Sequence, residues 1–151
     1  RKAVPMANET MRKFGYPESL IREYRHWVVL LRPAQVTIGS LVLAAKSDAT
    51  AFGRLPPAAH AELATITKEI EATLLAEVNY GKINYLMLMM VDPHVHFHVF
   101  PRYDGAKSLE GLEIADGGWP ALPDLKSAVT PDEKLLQRLR DRISRNWLNV
   151  S

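Results

Sequence analysis

The segment from His94 to Arg102 reads His-Val-His-Phe-His-Val-Phe-Pro-Arg, with three histidines at alternate positions. Successive side chains of a β-strand point to opposite faces, so this spacing predicts that the three imidazoles project from one face. Val95, Phe97 and Val99 would then project from the other face and anchor the strand in the core. The segment therefore predicts a strand that presents a row of imidazoles to a cleft.

Three interpretations of this row are open. Imidazole is a common zinc ligand, but at a rise of about 3.3 Å per residue His94 and His98 lie roughly 13 Å apart, so both could not join the middle ring on one ion. Two neighbouring histidines could hold a metal with a third ligand from elsewhere, and the sequence offers no obvious third. The second interpretation is a set of core or surface histidines without chemistry, which is how we interpret the isolated His26 and His60.

The third interpretation is nucleophilic catalysis at phosphorus. The unperturbed pKa of a histidine is about 6.5, so at neutral pH much of the imidazole is uncharged and nucleophilic. A phosphorus–nitrogen intermediate that water later opens divides one difficult step into two. Only His96 has a histidine on both sides that could orient it, donate to phosphate oxygens or protonate a leaving group. We therefore expect His96 to be the nucleophile and His94 and His98 to be its catalytic partners.

The composition is typical of a soluble globular protein. The chain has 151 residues, of which 47% are hydrophobic and 24% are charged, the balance of a folded domain. Its net charge is +2 and no run of Lys and Arg suggests an extended nucleic-acid surface. The longest apolar run, from Leu86 to Val91, is far short of the roughly 20 residues that span a membrane. Because the chain has no cysteine, disulfides and cysteine zinc sites are excluded. We expect a cytoplasmic protein that is not inserted in a membrane and that binds neither a cofactor nor a metal ion.

The expected organisation is a single domain over residues 6–151. Its core is expected over about 26–120 and a C-terminal helix over about 131–148. Residues 1–5 precede Met6-Ala7-Asn8-Glu9, which reads like a natural start, and we interpret them as a remnant of the expression vector.

Apolar periodicity predicts the secondary structure. Strands are expected at 26–31, 39–44, 82–91 and 94–102, the last two joined by a tight turn at Asp92-Pro93. Pro56-Pro57 opens a helix whose apolar stripe runs from Leu63 to Val78, with Gly81 available as its left-handed cap. Thr130-Pro131-Asp132-Glu133 has the pattern of a capping box and begins the second helix. No element is assigned to residues 6–24, and residues 105–127 are expected to be a loop that packs through Trp119. The sum is an α+β fold, an antiparallel sheet of about five strands with two main helices.

At these residues the chain resembles the histidine triad superfamily, in which three histidines alternate with hydrophobic residues and two more hydrophobic residues follow. The segment from His94 to Phe100 fits that pattern without a gap, and Pro101-Arg102 continues it as in many members. Asn84-Tyr85, followed by an apolar stretch and Pro93, is similar to a bacterial branch of nucleotide hydrolases and transferases. Weaker similarity extends the resemblance over roughly Trp27 to Trp119, through residues 35–43 and 117–120.

The resemblance implies both a fold and an activity. The fold is a two-layer α+β protomer that commonly pairs into a homodimer with a continuous sheet. The activity is that of a nucleotidyl hydrolase or transferase acting at the α-phosphate of a nucleoside polyphosphate or phosphoramidate, through a nucleotidyl-histidine on His96. The enzyme would be of the dinucleoside polyphosphate hydrolase or nucleoside phosphoramidase type. Its expected partner is a nucleotide, either a purine mononucleotide or a dinucleoside polyphosphate.

Two further residues are expected to bind substrate. Asn84 stands where many members place a polar side chain near the substrate, and it could equally form a hydrogen bond at a strand edge. Arg102 could bind a phosphate or be the solvated end of a strand.

Three departures from the family pattern concern the substrate. Met89-Met90 stands where many members have a polar pair that contacts the phosphate, and methionine supplies no strong donor. The segment from Leu31 to Ala34 stands where members commonly carry an asparagine for the ribose, and Ser40 stands where a histidine is frequent. Two alternatives to an active enzyme of this type follow, a nucleotide-binding module with weak or no turnover and a metal-dependent hydrolase.

Overall fold

The computed structural model describes residues 7–150, so residues 1–5, Met6 and Ser151 lie outside the described part of the chain. Three α-helices are described, and they are α1 (Glu9–Lys13), α2 (Pro57–Val78) and α3 (Glu133–Arg145). The strands are β1 (Leu20–Glu23), β2 (Trp27–Leu31), β3 (Leu41–Ala45), β4 (Lys82–Leu86), β5 (His96–Arg102), β6 (Ala106–Leu109) and β7 (Leu112–Ala115). Two short 3-10 turns span Phe52–Arg54 and Leu125–Ser127.

Five strands form one antiparallel sheet in the order β1-β2-β3-β5-β4. The inner strands β2 and β3 are β-branched and apolar, and every residue of both is buried. Strand β4 lies at one edge of the sheet, and β6 and β7 form a separate hairpin. The structure confirms the predicted α+β fold, with about five antiparallel strands and two main helices, α2 and α3.

The two faces of the sheet are covered differently. On one face lies the larger core, where the predicted stripe of α2 is confirmed because Ile66, Ile70 and Leu74 are fully buried together with Val95 and Val99. On the other face lies a smaller cluster contributed by α1 and by the inner strands, made of Met11, Phe14, Val28, Leu30, Val42 and Ala44. Among the helices that the structure describes, none combines the length and apolar character of a membrane span.

Helix α3 docks against β1, in the segment to which the sequence assigned no element. The hydroxyl of Ser144 donates to the carbonyl of Ile21 at 2.9 Å, and Nη1 of Arg140 donates to the carbonyl of Leu20 at 2.8 Å. Just beyond the helix, the indole of Trp147 donates to the buried carboxylate of Glu69 on α2 at 3.0 Å. The C-terminal helix therefore ties the first strand of the sheet to the central helix.

The two strands around the histidines are shorter than predicted. Strand β4 ends at Leu86, and β5 begins at His96, so residues 87–95 form an irregular connection and the expected tight turn at Asp92-Pro93 is wrong. The physical reason lies in Met89, whose φ of 51° does not fit an extended strand. The apolar run that suggested a strand is instead largely in solvent, since Met90 is 85% exposed. The antiparallel pairing of the two strands is confirmed.

Residues 105–127 were expected to be a loop, and that is wrong in its first part. Strands β6 and β7 pair through a two-residue turn at Glu110-Gly111, where both residues have positive φ (51° and 82°), the conformation that two-residue hairpins favour. Only Leu109 and Ile114 of the hairpin are buried. Its alternation of apolar and polar residues is therefore too short to predict two strands from the sequence. Trp119 packs near Gly81, where an added Cβ would lie 3.4 Å from the indole.

Two helix ends differ from their predicted positions. Helix α2 ends in a left-handed cap at Asn79, with φ 55°, rather than at Gly81, because asparagine tolerates this conformation better than most residues. Helix α3 begins at Glu133 with Asp132 as its cap, whose carboxylate accepts from the N–H of Leu135 at 2.9 Å. Pro131 therefore precedes the helix instead of opening it.

The cap of α2 gives a stability prediction. Replacement of the exposed Asn79 by alanine should lower the free energy of unfolding by about 1 kcal/mol, because a Cβ without a compensating polar group is strained at positive φ. The matched Asn79→Gly variant should be equal to the wild type or slightly more stable. Urea unfolding of the three proteins measures the difference, and equal losses in both variants would contradict a left-handed cap at this position.

Candidate active site

A cleft of about 340 Å³ opens beside β5, on the sheet face opposite α2. Strand alternation places it there, because Val95 and Val99 point into the larger core and His96 and His98 point the other way. The wall residues come from the end of α1, the end of β2, the 87–95 connection, β5 and a 3-10 turn, and they are Lys13, Phe14, Arg32, Leu88, Met89, Met90, Val91, Asp92, His96, His98 and Leu125.

His96 is oriented by the backbone of the preceding histidine. Its Nδ1 lies 2.7 Å from the carbonyl oxygen of His94, and its side chain is almost fully buried. A carbonyl oxygen can only accept, so Nδ1 carries the proton, and in the neutral ring Nε2 then holds the lone pair. The geometry thus leaves Nε2 as the basic, nucleophilic atom of His96.

His98 lies beside His96, with ring centroids 5.0 Å apart in an edge-to-face arrangement. Its ring stacks on Phe100, and its Nδ1 accepts a hydrogen bond from Nε of Arg32 at 3.3 Å. Burial lowers the pKa of His98 to about 4, and the positive charge of Arg32 acts in the same direction. His98 is therefore neutral at neutral pH, with Nδ1 as an acceptor and the proton on Nε2.

His94 departs from the expected row. It precedes β5, so the alternation that aligns the other two rings does not extend to it. Its Nδ1 lies 2.9 Å from the hydroxyl of Thr10 on α1, and its ring lines a separate cleft of about 370 Å³ next to Asp48. The structure brings His96 and His98 together, while His94 contacts His96 through its backbone carbonyl.

Phe14 covers both of the paired histidines. It caps the C-terminal end of α1, and its ring centroid lies 5.6 Å from that of His96 and 5.5 Å from that of His98. Nothing in the polar segment 6–24 indicated this role, because contact with β5 depends on how the chain folds back across the sheet.

Two cations at the cleft were also missed. The ammonium of Lys13 lies 3.4 Å from the carboxylate of Asp92, across the mouth of the cleft. Arg32 follows β2, where the sequence showed only a proline that breaks the strand. A charged residue directly after a fully apolar strand was the available signal for Arg32.

The structure does not bring Asn84 and Arg102 into this cleft. They line a larger groove of about 640 Å³ on the same face, with Trp119. At a rise of about 3.3 Å per residue, Arg102 lies roughly 13 Å along β5 from His98. Its Nε and Nη2 donate to the carboxylate of Asp116 at 2.7 and 3.1 Å, and its Nη1 donates to Oδ1 of Asn84 at 2.7 Å. Both residues are thus engaged in a buried hydrogen-bonded cluster that ties β4, β5 and the loop after β7 together.

The connection before β5 gives the cleft an apolar wall. Leu88, Met89, Met90 and Val91 all line it, and their side chains offer no strong hydrogen-bond donor. Within residues 7–150, no group of three histidine, aspartate or glutamate side chains is placed to hold a metal ion.

Comparison with known proteins gives matches in structure and none in sequence. No protein-family model matches the chain, and no curated protein matches it. A histidine triad protein from Sinorhizobium meliloti superimposes with a TM-score of 0.73 at 22% identity, and the match covers 93% of this chain and 96% of that one. A histidine triad protein from Marinobacter aquaeolei VT8 has a TM-score of 0.70 at 16% identity, over 97% of this chain and 100% of that one.

The chain has the histidine triad fold. A diadenosine triphosphate hydrolase from Plasmodium falciparum has the same fold, with a TM-score of 0.65 at 9% identity over 96% of this chain and 86% of that one. The match in fold thus extends over almost the whole chain.

The lowered pKa of His98 predicts a pH dependence of stability. Between pH 6.5 and about 4 the unfolded chain binds a proton at this residue that the folded chain excludes, so stability falls as the pH is lowered through that window. Within that window the contribution of His98 to the free energy of unfolding should change by at most about 1.4 kcal/mol per pH unit. Urea unfolding from pH 7 down to pH 4 should show that the free energy of unfolding falls less steeply for His98→Asn than for the wild type. The control His60→Gln should follow the wild type. Identical slopes for His98→Asn and the wild type would contradict the prediction.

Proposed function

We propose that this protein is a hydrolase of the histidine triad type that acts at the α-phosphate of a nucleotide. Its substrate would be a nucleoside polyphosphate, such as a dinucleoside polyphosphate, or a nucleoside phosphoramidate. His96 would form a nucleotidyl-histidine intermediate, with His94 and His98 as its partners. Transfer of the nucleotidyl group to an acceptor other than water would use the same site.

The orientation of His96 is the observation that carries this proposal. Its Nδ1 is engaged by the His94 carbonyl at 2.7 Å, which directs the lone pair to Nε2. A neutral His98, 5.0 Å away, supplies an N–H from its Nε2 on the same side of the sheet. An oriented nucleophile beside a fixed donor is what attack on a phosphoryl group requires.

The reaction would proceed in two displacements. Nε2 of His96 attacks the α-phosphorus, a phosphorus–nitrogen bond forms, and the leaving group departs with the electron pair of its bond to phosphorus. The His94 carbonyl stabilises the imidazolium through Nδ1–H, while the N–H of His98 donates to a non-bridging oxygen. Water then attacks the phosphorus, the phosphorus–nitrogen bond breaks, and its electron pair returns to Nε2 of His96. One proton of the water stays on the nucleoside monophosphate, and the other passes to solvent, which balances the proton that the leaving group takes up from solvent.

The fold neighbours support the class of reaction, since one of them is a diadenosine triphosphate hydrolase. The substrate-binding roles of Asn84 and Arg102 stay predictions, as these residues lie in the neighbouring groove. A cytoplasmic location is also part of the proposal, because a chain without cysteine is compatible with a reducing compartment.

The assembly we propose is a homodimer. Strand β4 lies at the edge of the sheet, and its outer side has no strand partner within residues 7–150. Open edges are sites where a second strand can add, and pairing of two such edges would give a continuous sheet. Sizing with light scattering should therefore give twice the 17.0 kDa of one chain, and a mass of 17.0 kDa at micromolar concentration would contradict the dimer.

The enzymatic proposal is tested with diadenosine polyphosphates and adenosine phosphoramidates. The wild type should release AMP, and His96→Ala should lose at least about 10³-fold in rate because the covalent path is removed. His60→Ala, a histidine of α2 outside the cleft, is the matched control and should retain activity. Rapid denaturation at alkaline pH, which preserves the acid-labile phosphorus–nitrogen bond, followed by mass spectrometry of the wild type should show an AMP adduct that is absent from His96→Ala.

The outcomes separate the two leading alternatives. Equal turnover by the wild type and His96→Ala, above a blank without enzyme, would contradict His96 as the nucleophile. A shift of the melting temperature by AMP without consumption of any substrate would instead indicate a binding module.

A further inference from the structure

Arg32 is held in place by a buried backbone network. Its N–H donates to the carbonyl of Ser40 at 3.0 Å, and its carbonyl accepts from Nε2 of Gln35 at 2.6 Å. Gln35 and Ser40 are fully buried, and Oε1 of Gln35 also accepts from the N–H groups of Gly39 and Ser40. The backbone of Arg32 is therefore fixed before any ligand binds.

The guanidinium of Arg32 is also directed into the histidine cleft. Its Nη1 donates to the carbonyl of Ala34 at 2.6 Å, its Nε donates to Nδ1 of His98 at 3.3 Å, and its centre lies 5.6 Å from the ring centroid of Phe100. A guanidinium carries two N–H groups at each terminal nitrogen. The N–H groups of Nη2 have no hydrogen-bond acceptor within the part of the chain that the structure describes. The Arg32 side chain lines the cleft together with His96 and His98.

This cation has no counter-ion among residues 7–150. The other cation of the cleft, Lys13, pairs with Asp92 at 3.4 Å, and the buried Arg102 pairs with Asp116 at 2.7 Å. Arg32 is half-buried and forms no ion pair, and burial lowers its pKa. A desolvated, uncompensated charge in a cleft is unfavourable unless an anion completes it.

We propose that Arg32 is the anion-binding and specificity-determining residue of the cleft. It holds the non-bridging oxygens of a nucleotide phosphate through Nη2, and its Nε–H keeps Nδ1 of His98 as an acceptor, so that the N–H of His98 at Nε2 meets the same phosphate. Arg32 thereby supplies the charge that the apolar Met89-Met90 wall lacks. The identity of the anion as a nucleotide rests on the proposed function, whereas the anion site itself does not.

Calorimetric titration tests the anion site with AMP, inorganic phosphate and adenosine as separate ligands. Arg32→Gln should weaken AMP binding by about 10- to 100-fold, because a charge-assisted hydrogen bond is lost, and should change adenosine binding less than 3-fold (roughly, since no charge is involved). Arg32→Lys should lose less, since it keeps the charge without the fork of donors. Arg54→Gln, an exposed arginine on a 3-10 turn, is the matched control and should bind AMP like the wild type. If inorganic phosphate bound as tightly as AMP, the site would recognise the phosphate group without a contribution from the nucleoside.

The positioning role is tested by the tautomer of His98. Nitrogen-15 NMR of the wild type should show the proton of His98 on Nε2, and Arg32→Met, which removes the donor at Nδ1, should give a mixture of tautomers. An unchanged tautomer in Arg32→Met would overturn this part of the proposal. Thermal unfolding of each variant identifies any that fail to fold, and Arg32→Lys then carries the comparison.

The two proposals fail in different ways. Loss of AMP affinity in Arg32→Gln together with full turnover by His96→Ala would leave the anion site standing and remove the proposed function. Loss of turnover in His96→Ala together with unchanged AMP affinity in Arg32→Gln would support the proposed function and contradict the anion site at Arg32. Equal loss of AMP and adenosine binding in Arg32→Gln would show a general structural effect and overturn the role of Arg32.

Discussion

The alternation of side chains along β5 is the constraint on which both the core and the cleft depend. Val99 and its neighbours are drawn under α2 by burial of apolar surface, and this fixes the opposite orientation of His96 and His98 because a strand has only two faces. Pairing with β3 sets small residues beside the imidazoles, since Ala44 lies opposite His96 and Val42 opposite His98. The same register therefore builds a hydrophobic layer and a chemical surface.

The sequence predicted those parts of the fold that depend on local periodicity. The α2 stripe, the inner strands and the pair of histidines on one face follow from repeats of 3.6 and 2 residues. The 87–95 connection was misassigned because an apolar run carries no sign of the positive φ at Met89. His94 was predicted to lie in the row because the alternating pattern of histidines and apolar residues already starts two residues before the strand begins.

The missing parts of the site share a different cause. Phe14, Thr10 and Arg32 come from segments far from β5 in the sequence, and each reaches the histidines only through tertiary packing. Conversely, Arg102 stands close to the triad in sequence, yet Asp116 binds it in a groove farther along the strand. Distance along the chain was thus a poor guide to which charged residues meet the imidazoles.

The contacts of α3 with β1 have a consequence for the order of folding. Strand β1 follows the segment that carries Thr10 and Phe14, and it is held by hydrogen bonds from Arg140 and Ser144. Contacts between such distant parts of the chain close large loops and form late. Helix α3 therefore adds a second attachment for β1, which also pairs with β2, next to the segment that covers the histidines.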